Sequence, residues 1–293
     1  MHFPVMKEEV INFLNPKSGE DFVDCTVGLG GHALAVLELN KPNGRVLGID
    51  IDQELLENLK RKVLGTLFEK RVILVCGNFA NLSAIAEKHD FERVSGVFFD
   101  LGLSSWHLET SRRGFSFLRD EPLDMRYNPE MNTLTAEQIV NTWSLKDVDR
   151  ILRFYGEERF SRRIAEEIVK SRPLKSTVDL VMAVERATPS WYHRRRIHFA
   201  TKTFQALRIA VNSELENLEK ALPQALNILR NGGKLAVIAF HSLEDRIVKN
   251  FLKSKAKEGA LKILTKKPVR PSREEILKNP RARSAKLRVA LKV

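Results

Sequence analysis

Asp24-Cys-Thr-Val-Gly-Leu-Gly-Gly-His32 is the stretch on which the fold turns. Phe22–Val27 reads as a buried strand, and His32–Leu39 as the helix that leaves the glycine turn. Gly28-x-Gly30-x-x-Ala33 satisfies the dinucleotide fingerprint, in which glycines let backbone N–H groups approach a ligand. A carboxylate, Asp24, stands four residues before the first glycine. Negative charge there repels a pyrophosphate and favours an ammonium group. Asp24 and Thr26 also interrupt the apolar strand expected ahead of a dinucleotide loop. The loop therefore suits S-adenosylmethionine better than NAD, while a glycine turn serving strand-to-helix geometry alone is the bland alternative.

The rhythm around the loop extends the reading. Arg45–Asp50, Val72–Cys76 and Val94–Leu101 are predicted strands, alternating with helices over Gln53–Phe68 and Leu82–Lys88. A further helix, Met6–Leu14, precedes the loop. Nearly continuous apolar strands separated by helices imply a parallel sheet covered on both faces. The alternation stops at residues 103–133, which carry Gly114, Pro122 and Pro129 but no period. Only helical patterns follow, with caps expected at Thr135-x-x-Gln138 and Ser144-x-x-Asp147 and a stop at Gly156. The β–α pattern resumes with a helix over Ser213–Arg230, a strand over Gly232–Phe240 and a helix over Leu243–Lys253. Strands at Lys262–Thr265 and Lys286–Val293 close the chain. The expected architecture is a discontinuous α/β domain, residues 1–104 and 207–293, interrupted by a loop-plus-helical insertion over 105–206.

Composition narrows the partners. The 293 residues carry a net charge of +12, placed unevenly. From Arg246 to Val293 there are 16 Lys and Arg against 3 Asp and Glu, so the rest of the chain is close to neutral. A basic tail on a neutral body suggests a polyanion, because phosphates release counterions on binding; a solvated lysine-rich face is the plainer alternative. Two distant cysteines, Cys25 and Cys76, exclude a metal knuckle or disulfide framework, and no metal is expected. With no apolar run near the length of a membrane span and no signal peptide, a cytosolic protein is the default.

In an open parallel sheet, ligands bind beyond the carboxyl ends of the strands. Asp50 ends one predicted strand, 22 residues after Gly28, and suits the two hydroxyls of an adenosine ribose. Asp100 ends another. Gly77-Asn78-Phe79 follows the third strand, where adenine would lie, with Phe79 available to stack or to pack in the core.

Eight segments then share a resemblance. They are Met6-Lys-Glu-Glu-Val10, Gly30-Gly-His32, Asp100-Leu-Gly-Leu-Ser-Ser105, Arg113-Gly-Phe-Ser-Phe117, Pro122-Leu-Asp-Met-Arg126, Thr203–Leu215, Phe240–Lys249 and Asn279–Arg288. In this order they resemble the bacterial 16S rRNA cytosine-N4 methyltransferases of the MraW type, from one end of the chain to the other. The resemblance implies a class I S-adenosylmethionine-dependent, Rossmann-like fold with a helical insertion. It also implies methylation of N4 of one cytidine in the decoding region of small-subunit rRNA. The family's cofactor positions carry over to Gly30, Gly31, His32, Asp50, Phe79, Asp100 and His107. Position 107 is His where many relatives have Gln, and Tyr127 stands where relatives often have Met; both residues at 107 offer hydrogen bonds.

Methylating an exocyclic amine needs an acceptor for its N–H protons and alignment of nitrogen, methyl and sulfur. Asp100 is the candidate acceptor, unless it holds the cofactor's ammonium. His241, Glu244 and Asp245 are runners-up, though His241-Ser-Leu-Glu244 also reads as a helix cap. A base must leave its stack to be methylated, and unstacked RNA favours aromatics and arginine. Arg112 and Arg113, with Arg194, Arg195 and Arg196 in Trp191-Tyr-His-Arg-Arg-Arg-Ile-His198, are the candidate RNA contacts. A solvated turn would explain the arginine run equally simply, and Trp106 reads as either a stacking platform or a packing residue. A nicotinamide-dependent oxidoreductase and a non-catalytic RNA-binding module stay open at this point, as does a homodimer.

Overall fold

The computed structural model describes residues 4–293 and divides the chain into two compact units. The first comprises residues up to Gly102 together with Leu215–Val293, and the second is Leu103–Glu214.

The first unit is built on seven strands: β1 (Phe22–Asp24), β2 (Val46–Asp50), β3 (Val72–Cys76), β4 (Val94–Asp100), β5 (Leu229–Ala239), β6 (Leu261–Ile263) and β7 (Lys286–Lys292). Their order in the sheet is β3-β2-β1-β4-β5-β7-β6. The strands β1 to β5 pair in parallel, and β7 lies antiparallel to both β5 and β6. Order reverses between β1 and β4, which makes the carboxyl ends of these two strands the switch point of the sheet.

Alternation along each strand fills two layers. Val23, Leu47, Val97, Phe99, Leu235 and Val237 face one apolar core, with the helices Leu82–Lys88, Glu214–Ile228 and Ser242–Lys257. Phe22, Val46, Phe98, Ala236 and Ile238 face the other, with the helices Lys7–Leu14, Gly31–Leu39 and Gln53–Val63. Period-two side chains buried on both faces are the mark of a parallel sheet sandwiched by helices.

Several elements are shorter than their patterns suggest. β1 ends at Asp24 rather than Val27, because the chain turns at Cys25–Thr26 to enter the glycine loop. The helix from Gln53 stops at Val63, short of Phe68; Leu64 turns extended and Gly65 takes φ +71°. The helix expected to run to Arg230 gives way to β5 at Leu229.

In the second unit, helices Ala136–Thr142, Leu145–Phe154, Ser161–Lys170, Thr177–Ala187 and Thr201–Asn212 pack around Ile139, Val148, Ile164, Leu180 and Leu207. Thr135 and Gln138 form a reciprocal capping box, and Ser144 caps its helix by accepting from the Asp147 amide. The unit begins at Leu103 and keeps the chain until Glu214, so the return falls at Leu215, eight residues beyond the expected 207. The reason is the helix Thr201–Asn212, whose Phe204, Ala206, Leu207 and Val211 face this core.

Candidate active site at the strand ends

The glycine loop follows β1 as a tight turn. Gly30 caps the helix Gly31–Leu39 at φ +81°, and a Cβ there would lie 2.5 Å from Leu59 Cδ1. Both the backbone and the packing therefore require glycine. A Cβ on Gly31 would stand 2.8 Å from Pro4, so the N-terminal segment lies directly against the loop. Asp50, the last residue of β2, fixes the loop from the side: its Oδ2 accepts from Gly28 N–H at 2.8 Å and its Oδ1 from Asp52 N–H at 3.0 Å. Phe79 opens a short helical turn after β3 and meets Phe99 edge to face, with ring centroids 5.6 Å apart.

The switch point gathers charge. Asp24 ends β1 at 4% exposure, its Oδ1 accepting from Thr26 N–H at 3.1 Å. Burial pushes its carboxyl up from 3.8 to about 7; His32 and the Thr26 amide oppose the shift, while Asp100 and Asp50 add to it. Asp100 ends β4, its amide donating to Thr26 Oγ1 at 2.7 Å, so the two strand ends are tied together. His32 lies in the first turn of its helix, buried against Phe98, with Nε2 3.4 Å from Asp100 Oδ2 but outside hydrogen-bond geometry. Asp100 Oδ1 and both ring nitrogens of His32 are buried without a partner.

Buried polar atoms left unpaired are costly, which makes the strand ends that keep several of them the candidate ligand site. Three carboxylates close adjacent strands here against one imidazole. A ligand carrying an ammonium and a ribose fits this set; a diphosphate does not. Gly30, Gly31, His32, Asp50, Phe79 and Asp100 thus belong to one unit, at or beside the strand ends.

The runners-up for proton acceptance have other partners. His241 and Glu244 form a reciprocal capping box: His241 Nδ1 accepts from Glu244 N–H, and Glu244 Oε2 accepts from the amides of Phe240 and His241. Asp245 binds Arg288 Nε at 2.6 Å and Lys286 Nζ at 3.1 Å. Burial raises its pKa, but these bonds more than offset the rise and hold it below 3.8. Glu275 was not anticipated from the sequence. Its Oε1 accepts from Met6 N–H at 2.6 Å, and burial, with the charges of Glu9 and Asp100, pushes its carboxyl up. The acid-rich turn Ser272-Arg-Glu-Glu275, which caps a helix, was its only sequence signal.

The remaining candidates belong to the helical unit. His107 is buried in the short helix Ser105–Glu109, its Nδ1 2.9 Å from Ser104 Oγ and its ring against Phe115 and Tyr127. Trp106 Nε1 is buried without a partner. Arg112 is exposed at φ +53°. Arg113 instead donates from Nη1 to the Tyr127 carbonyl at 2.7 Å. Arg194, Arg195 and Arg196 are exposed on the turn after the helix Ser190–His193. No helix of the described residues is long and apolar enough to cross a membrane.

The family model described as the MraW methylase family matches residues 1–293. The chain is 49% identical to a protein of Thermotoga neapolitana over 99% of its own length and 95% of the relative's. A protein of Thermosipho africanus is 48% identical, with 100% and 98% covered, and one of Dehalococcoides mccartyi is 45% identical, with 100% and 86% covered. All three relatives carry the name ribosomal RNA small subunit methyltransferase H. With a family model spanning its full length and curated relatives 45–49% identical along it, the chain belongs to the MraW methylase family.

Proposed function

We propose that this protein methylates the N4 amine of one cytidine in the decoding region of 16S rRNA, acting on small-subunit RNA as its relatives' names describe. The observation that carries the reading is the trio Asp24, Asp50 and Asp100 at the carboxyl ends of β1, β2 and β4, with Asp24 almost fully buried. Asp50 is assigned to the ribose hydroxyls and Asp24, with the loop at Gly30 and Gly31, to the amino-acid end of the cofactor. His32 and Phe79 complete the assigned cofactor set.

When bound, S-adenosylmethionine supplies a methyl group on a positively charged sulfur that departs as a neutral thioether. The cytosine amine is a poor nucleophile because its lone pair is delocalised into the ring. Asp100, with an unpartnered Oδ1, is assigned to accept a proton from N4 as the nitrogen bonds to carbon. Backbone carbonyls at the end of β4 add further acceptors, and holding the amine in line accounts for much of the barrier reduction. No covalent enzyme intermediate is needed. Arg112 and Arg194–Arg196 are assigned to RNA phosphates. Arg113, bonded to the Tyr127 carbonyl, shapes the loop that carries Arg112. The substrate implies a cytoplasmic location.

Two measurements test this. Titration with S-adenosylhomocysteine should give saturable binding that Asp50→Ala weakens about a hundredfold, the scale of losing two hydrogen bonds to a charged group. Tritiated methyl transfer should then label small subunits carrying the target cytosine and spare subunits with uracil there. Equal labelling of both would refute the N4 assignment while leaving the methyltransferase intact.

A further inference from the structure

The helical unit carries an aromatic cluster that packing alone does not explain. Trp191 and Tyr192 are neighbours on the helix Ser190–His193, yet Tyr192 is 3% exposed and Trp191 50%. Tyr192 is held from within: its hydroxyl donates to Glu158 Oε2 at 2.7 Å. Oε1 of the same buried carboxylate accepts from the Phe160 amide at 2.9 Å. One acid therefore sets both rings. Trp191 meets Phe160 and Tyr192 at steep interplanar angles of 61° and 87°, with centroids 5.9 and 5.8 Å away. The indole is flanked by its neighbours and left half open.

Cations frame it. The Arg159 guanidinium lies 5.9 Å from the Trp191 ring centre and 5.8 Å from that of Phe160. Arg163 stands 5.8 Å from Phe160, and Arg195 5.3 Å from Tyr192. Among the described residues, no carboxylate lies within ion-pair distance of Arg159, Arg163 or Arg195. Arg162, between them in sequence, is by contrast paired with Glu166 at 2.7 Å. A single nucleic-acid strand has use for both features, the π face for a base and the guanidinium groups for phosphates. An A-form duplex offers no unstacked base to such a ring.

We infer that Trp191, framed by Arg159, Arg163 and Arg195, is a stacking platform for an unpaired nucleotide of the RNA substrate. This rests on the proposal that the substrate is RNA, and adds what is gripped: an open strand. Glu158 orders the Tyr192 and Phe160 rings beside it.

The test uses the full chain with S-adenosylhomocysteine and two end-labelled probes, a single-stranded oligoadenylate of about 12 nucleotides and an RNA duplex of similar length, followed by anisotropy. Trp191→Ala should weaken the single strand about tenfold and leave the duplex and the salt dependence unchanged. Trp191→Phe should retain most of the affinity and Trp191→Leu should not, which separates a π face from apolar bulk even where Ala disturbs folding. Arg159→Gln should lower the slope of log affinity against log salt by about 0.7. Wild-type binding of the strand by both Trp191→Ala and Trp191→Leu would overturn the inference. So would equal losses on strand and duplex, or a polyglutamate peptide bound with the same dependence on Trp191, which would mark an acidic protein partner. Methyl transfer by the wild type keeps the two proposals apart: no transfer to small subunits removes the RNA reading, whereas transfer with no role for Trp191 removes the platform alone.

Discussion

The strand-end crevice and the arginine–aromatic face are built in opposite ways. In the crevice, polar groups are buried: Asp24 is 4% exposed, Asp100 Oδ1 and the His32 nitrogens lack partners, and Gly30 is hemmed in by Leu59. On the arginine face the charges stand in solvent, and a single buried acid, Glu158, orders the rings among them. A site for a small ligand is shaped at the expense of stability, since desolvated charge is unfavourable until the ligand arrives. A site for a polyanion costs the fold little, because exposed cations are already solvated. Substitutions should therefore separate the regions: large changes in folding at the first, small changes in folding but marked salt effects at the second.

The largest expected effect is at Gly30. Alanine there meets both a left-handed backbone and a contact of 2.5 Å with Leu59. Strain of ~1–2 kcal/mol adds to overpacking of ~1–3 kcal/mol, so Gly30→Ala should lower unfolding stability by roughly 2–5 kcal/mol. Denaturant unfolding measures this, and a loss under ~0.5 kcal/mol would mean that the loop yields as freely as a surface turn.

Next comes Asp24, where the effect depends on pH. Its carboxyl titrates near 7 in the folded chain against an ordinary 3.8, so between these values the folded chain holds a proton that the unfolded chain releases. The stabilisation is complete below about 3.8 and is lost as pH rises through about 7. Asp24→Asn removes this dependence. The variant should match the wild type near pH 4 and exceed it above pH 7, by roughly 2–4 kcal/mol. A gap that stays constant with pH would contradict a buried, protonated Asp24. The same charge predicts that S-adenosylhomocysteine, bringing an ammonium group to Asp24 near pH 6, displaces a proton. Its binding heat should then vary with the ionisation heat of the buffer in the wild type and not in Asp24→Asn.

Much of the crevice was legible because its signals are local. A glycine turn after an apolar run, and acids where two later runs stop, are read within a dozen residues. What escaped was carried by distant contacts. Thr26 Oγ1 meets the Asp100 amide across 74 residues, and Glu275 meets Met6 across 269. Nothing in either segment names its partner. The boundary near 207 shifted for a related reason: the apolar stripe of Thr201–Asn212 announces a buried face but not which core buries it. On the arginine face, composition singled out Arg194–Arg196 but could not see Glu158, whose role lies in joining residues 160 and 192.

The smallest effects separate two arginines that the sequence treats alike. Arg113 and Arg196 both sit in basic loops, but Arg113 donates to the Tyr127 carbonyl at 2.7 Å, whereas Arg196 is exposed with no carboxylate in ion-pair range among the described residues. Arg113→Gln should therefore lower stability by about 1–2 kcal/mol, the scale of a charge-assisted hydrogen bond, and leave the salt dependence of RNA binding nearly unchanged. Arg196→Gln should do the reverse. Its unfolding should stay within ~0.5 kcal/mol of the wild type, while the slope of log affinity against log salt falls by about 0.7, one phosphate contact to a single strand. Thermal unfolding and anisotropy at several salt concentrations read both quantities from the same samples. If Arg113→Gln flattened the salt slope without loss of stability, its guanidinium would belong to the RNA and not to the scaffold, and the division between buried framework and solvated contact would fail at that loop.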